Sequence, residues 1–81
     1  MRERRSHIRR RTFKGGKLTF NKGLSVLDCV VRDLSAKGAQ LELATSVGVP
    51  DQFELVIAPD RIKRLCRVTW RSERKVGVSF V

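Results

Sequence analysis

Asp33-Leu-Ser-Ala-Lys-Gly38-Ala39-Gln-Leu-Glu-Leu43 is the stretch on which the fold turns. Its first six residues are turn chemistry. Asp and Ser bond to nearby backbone, and Gly permits a positive φ or a close backbone approach. Its last five alternate apolar and polar: Ala39, Leu41 and Leu43 against Gln40 and Glu42, the period of a half-buried strand. The same period recurs on both sides. Upstream, Leu18 and Phe20 alternate with Lys17 and Thr19 until Gly23 breaks the run, and Val26 to Val31 is apolar except for Asp28. Downstream, Phe53, Leu55 and Ile57 share one face. Cys66, Val68 and Trp70 alternate with Leu65, Arg67 and Thr69, and Val76, Val78 and Phe80 alternate with Gly77 and Ser79.

Between these runs lie Ser46–Asp51, Pro59-Asp60 and Ser72–Lys75, each rich in loop residues. No window carries the apolar stripe of a helix. About six short strands therefore predict an all-β domain, a small sandwich or a barrel. Closure into a barrel is physically attractive because it leaves no unpaired strand edge. Val26–Val31 is expected to be buried on much of both faces, and Trp70 and Phe80 are expected to fill the core.

The 81 residues make one domain. A chain of this size buries only about 60% of the surface its unfolded form exposes, so a surface site is expected rather than a deep catalytic cavity. Cys29 and Cys66 stand apart in apolar runs, outside any CxxC pair, and read as core residues. No apolar stretch approaches the roughly 20 residues that cross a bilayer. The charged start lacks the apolar segment of a secretory signal. A cytoplasmic protein is the expectation.

Residues 1–11 hold six of the eighteen Lys+Arg and, against Glu3, carry half of the formal +10 charge. They are expected to form a flexible basic arm ahead of a domain over residues 12–81. Such asymmetry points to a polyanion: nucleic acid, a nucleotide or an anionic membrane surface.

Catalysis finds little support. His7 is the only histidine and lies within the Arg cluster, where no orienting carboxylate or nucleophile stands at readable spacing. Phosphate-loop and metal-ligand spacings are absent, so no catalytic residue, metal or cofactor is expected. Binding chemistry is better served. The planar Arg fork grips phosphate oxygens bidentately and stacks on flat rings. In an extended segment Arg5 and Arg9 lie at most about 14 Å apart, with Arg4 and Arg10 flanking them. Asp33 accepts from paired donors such as those on the edge of guanine. Ser35 either donates to phosphate or closes the turn.

Arg5-Ser-His-Ile-Arg9, followed by Asp33-Leu-Ser35-Ala-Lys-Gly38, resembles the RxxxR and [DN]xSxxG signature of the PilZ domain. Cys66–Arg71 and Val76–Phe80 are similar to that family's closing strands, so the likeness runs from Arg4 to Phe80. The resemblance implies a six-stranded antiparallel β-barrel binding cyclic di-GMP, a bacterial second messenger. It implies that Arg5 and Arg9 reach phosphate and guanine from the arm, that Asp33 and Ser35 hold a guanine, and that Gly38 shapes their turn. It also implies that Arg4, just before the motif, favours a stacked pair of ligands.

Many members carry a helix after the last strand, which this sequence lacks. The expected protein is a stand-alone adaptor that orders its arm on the ligand and signals to an unidentified partner. The alternative is a small basic barrel that binds RNA or single-stranded DNA. It is disfavoured by a chain with no Tyr and few aromatics, expected to point inward.

Overall fold

A computed structural model of the chain describes residues 10–59 and 61–81, with side chains from Thr12 onward. It contains β1 (Arg10–Phe20), β2 (Ser25–Leu34), β3 (Gly38–Glu42), β4 (Gln52–Ile57), β5 (Ile62–Arg71) and β6 (Lys75–Phe80). Helices are absent among the described residues. The strands close into a barrel in the order β1-β2-β3-β6-β5-β4, and every pairing is antiparallel. β4 returns to β1 and completes the ring, so the sheet keeps no free edge.

Alternation builds the core. Leu18, Val31, Leu41, Leu55, Cys66 and Val76 are fully buried, one from each strand in chain order. Because successive strand side chains point to opposite faces, each strand turns one set inward and the other to solvent. Cys29, Leu43, Phe53, Ile57 and Val78 extend this core, and Phe80 packs against it. Both cysteines are free and buried. Burial pushes the Cys29 thiol up to about 12, with the Asp28 carboxylate and Cys66 adding to the shift. Burial likewise pushes the Cys66 thiol up to about 12, against the lowering pull of Arg64.

Short devices hold the ends. Asn21, Lys22 and Gly23 all take positive φ in the β1–β2 turn, where the Gly23 amide donates to the Phe20 carbonyl at 3.1 Å. The β3–β4 loop crosses to a strand that is not β3's neighbour. Arg71 clips it, donating to the Val49 carbonyl at 2.8 Å and to the Asp51 carboxylate at 3.0 Å. The Ser46 hydroxyl donates to the Ser72 carbonyl at 2.5 Å.

Two expectations need correction. Val26–Val31 is one-sided: Cys29 and Val31 are buried, while Val26, Asp28 and Val30 face outward. Among the described residues no second layer covers the outer wall of the barrel, so an apolar run there does not mean two buried faces. Trp70 is not a core filler but is 46% exposed. The β5–β6 register slips between Val68 and Trp70, so that Val68 pairs with Val78 but Trp70 with Gly77. The extra residue, Thr69, reverses the alternation and sends the indole outward.

Candidate ligand-binding site

A second irregularity does the same for Asp33. In the β2–β3 pairing Val31 opposes Leu41, but Asp33 opposes Gln40, leaving Arg32 as the extra residue. Strict alternation from buried Val31 would point Asp33 inward. With the bulge, Leu34 packs against the core and Asp33 takes the outer face. A carboxylate that would be costly to bury is thus held at the surface by a rigid wall.

The turn that follows is closed by its own serine. The Ser35 amide donates to the Gly38 carbonyl at 2.9 Å, and the Ser35 hydroxyl accepts from the amides of Lys37 at 3.1 Å and Gly38 at 3.3 Å. Of the two roles open to Ser35, this local one is built into the fold. Gly38 is needed for close approach rather than for positive φ. A Cβ there would stand 2.1 Å from the carbonyl oxygen of Val78 on β6.

The register then lays out one row across five strands: Arg11, Asp33, Gln40, Gly77 and Trp70. The indole lies over Gly77, so closely that a Cβ on Gly77 would meet the Trp70 Nε1 at 2.1 Å. Glycine opposite an aromatic lets the ring lie against the sheet. The result is a surface cleft of about 290 Å³ lined by Asp33, Ser35, Lys37, Gly38, Gln40 and Trp70, among others. It offers a carboxylate, a carboxamide, an ammonium group and an aromatic face within one concavity. A larger and mostly apolar cavity opens at Gly15-Gly16, where Lys17 and Asp28 are engaged with each other at 2.6 Å.

The family model for the PilZ domain matches residues 3–81. The chain belongs to the PilZ domain family. PilZ domains are a family of cyclic di-GMP-binding receptors, and the matched span takes in both Arg5–Arg9 and Asp33–Gly38. No curated protein matches the chain.

Of the residues that the PilZ resemblance singled out, the structure gathers Asp33, Ser35 and Gly38 into the cleft. Arg4, Arg5 and Arg9 lie outside the described residues. Arg10 enters β1 by its backbone, opposite Leu34, which puts the end of the Arg run beside the Asp33 strand. Phe13 and Lys14 also belong to β1.

Reading the sequence missed Trp70 and Gln40 as parts of this PilZ cleft. Gln40 was legible as an outward residue of β3. Trp70 was obscured by the Thr69 bulge, although a Trp and a Gly flanking a tight polar hairpin would have been a usable sign of such a pair. Among the described residues, no group of three or more His, Cys, Asp or Glu could hold a metal ion, and no helix is long and apolar enough to cross a membrane.

Proposed function

We propose that this PilZ domain is a cyclic di-GMP receptor whose Asp33–Trp70 cleft holds one guanine of the ligand. The observation that carries the reading is the single outward row Asp33–Gln40–Gly77–Trp70. A guanine lying on the indole stacks its face there and turns its two adjacent edge donors toward the Asp33 carboxylate. Gln40 lies between, with one amide able both to donate and to accept. Ser35 and Gly38 hold the turn that carries this edge of the cleft. Lys37 supplies positive charge on the same rim.

Arg5 and Arg9 close on the ligand phosphates from the arm of residues 1–11, whose last two residues enter β1 by backbone. Ordering the five residues from Arg5 to Arg9 costs roughly 5–10 kcal/mol. Charge-assisted hydrogen bonds of about 1.5–3 kcal/mol each and base stacking of about 1–3 kcal/mol must exceed that cost. Neither Arg is therefore dispensable. Ligand neutralises the like charges of the arm, and the arm laid on the barrel presents a new surface to a partner protein, an order–disorder switch. Arg4 extends the grip to a second stacked ligand.

Calorimetric titration with cyclic di-GMP tests this, with GTP and a short single-stranded oligonucleotide as controls. Tight binding of the cyclic dinucleotide alone is expected. Asp33→Ala and Arg9→Ala should each weaken it about a hundredfold while the melting curve stays that of a folded barrel. Parental affinity in Arg9→Ala would remove the arm from the site.

One observation favours a second reading. Trp70 and Phe13 are both exposed on a chain of formal charge +10, and exposed aromatics with basic charge suit single-stranded nucleic acid. Salt-sensitive binding of the oligonucleotide, without binding of cyclic di-GMP, would select that reading.

A further inference from the structure

A second cleft, of about 410 Å³, adjoins the first and shares Asp33 and Gln40 as a common wall. Its remaining lining is Thr12, Phe13, Arg32 and Lys75. Phe13 is 77% exposed. It lies where the β1–β2 register slips between Arg11 and Lys14. An exposed Phe alone would need no explanation. This one carries the Arg32 guanidinium 4.3 Å from its ring centroid. That guanidinium is fixed a second time, because it donates to the Glu42 carboxylate at 2.5 Å. Arg32 is itself the extra residue of the bulge that turns Asp33 outward. One backbone irregularity therefore places both the carboxylate of the first cleft and the cation of the second.

We propose that the Phe13–Arg32 layer is a second base-stacking platform, which takes a guanine beside the one held over Trp70. The inference rests on the receptor reading above. An aromatic ring and a guanidinium plane both stack on purines, and a partner that restrains the Arg lowers the entropy lost on binding. Glu42 holds one nitrogen, Nη1, of the Arg32 guanidinium; the platform contributes stacking and positive charge, while the reading of the base edge stays with Asp33. Lys75, in the same cleft, adds charge for the neighbouring phosphate. The guanine comes either from the other half of the same cyclic di-GMP molecule or from a second molecule stacked on it, and stoichiometry distinguishes the two.

Calorimetry on the full chain with cyclic di-GMP, comparing the parent with Phe13→Ala, Phe13→Trp and Leu24→Ala, tests the platform. Phe13→Ala is expected to weaken binding about tenfold or more. Phe13→Trp should keep parental affinity. Leu24→Ala, which removes an even more exposed apolar side chain at the β1–β2 turn, should leave binding unchanged. Loss of one of two ligand equivalents in Phe13→Ala assigns the platform to a second molecule. Weaker binding at unchanged stoichiometry assigns it to the other base of the same molecule.

Independently of how Phe13→Ala folds, the new indole of Phe13→Trp should be quenched by saturating ligand beyond the quenching of Trp70 in the parent. Parental affinity and stoichiometry in Phe13→Ala, or no added quenching in Phe13→Trp, would overturn the platform. A parent that does not bind cyclic di-GMP is a separate failure, that of the receptor reading itself.

Discussion

Two glycines of this barrel do different work, and the difference can be measured. At Gly77 the atoms a methyl group would strike belong to the Trp70 indole, a side chain that can move. Gly77→Ala should therefore leave the barrel folded but lift the ring from the floor of the cleft. The expected signs are a red-shifted Trp70 emission and about tenfold weaker binding of cyclic di-GMP. An emission spectrum identical to the parent's would mean that the ring does not depend on Gly77. Serine chemistry at Ser35 follows the same logic of proximity. Its hydroxyl is engaged by the amides of its own turn, so its contribution to the site is the shape of the loop that carries the Asp33 edge.

At the scale of the strand, what matters is where alternation breaks. Strands β3, β4 and β6 were readable because their inward sets, such as Phe53, Leu55 and Ile57, follow the period without interruption. β2 and β5 each contain one extra residue, Arg32 and Thr69, and past it the period reverses. Nothing in composition marks such a residue, since the bulge is decided by the register of the neighbouring strand. Asp33 and Trp70 thus came to line one cleft only after pairing.

The tight contact of β3 with β6 belongs to this scale as well. At Gly38 the obstacle to a side chain is the Val78 carbonyl oxygen, which is backbone. Gly38→Ala must push β3 off β6 and should cost roughly 1–3 kcal/mol. Urea denaturation should show a lowered midpoint, with faster amide exchange in both strands. An unchanged midpoint would mean that the two strands can part at no cost.

For the whole molecule, closure makes six short strands into one core and puts both thiols inside it. The folded-state thiols sit near 12 against 9.0 for an ordinary thiol. Their neutral form is favoured by folding, and the unfolded chain releases its protons first. The corresponding stability is complete below about pH 9 and is lost as pH rises from 9.0 toward 12. Unfolding midpoints in urea should be flat from neutral pH to about 8.5 and fall above pH 9. Cys66→Ala should show a smaller alkaline loss than the parent. An equal loss in the two proteins would assign the alkaline instability to other groups.

Strand number, the inward faces of β3, β4 and β6, the buried cysteines and the Asp33–Gly38 turn were all legible from residue order, because each rests on local chemistry. Alternation reports burial, and Asp, Ser and Gly report a turn. The motif pair likewise led to the right family. Sequence could not show that the wall is one layer thick, leaving Val26 and Val30 exposed. Nor could it show that Trp70 lies on Gly77 across a hairpin, or that Phe13 lies under Arg32. These are outcomes of pairing between strands distant along the chain, where a single unpaired residue reverses every side chain beyond it.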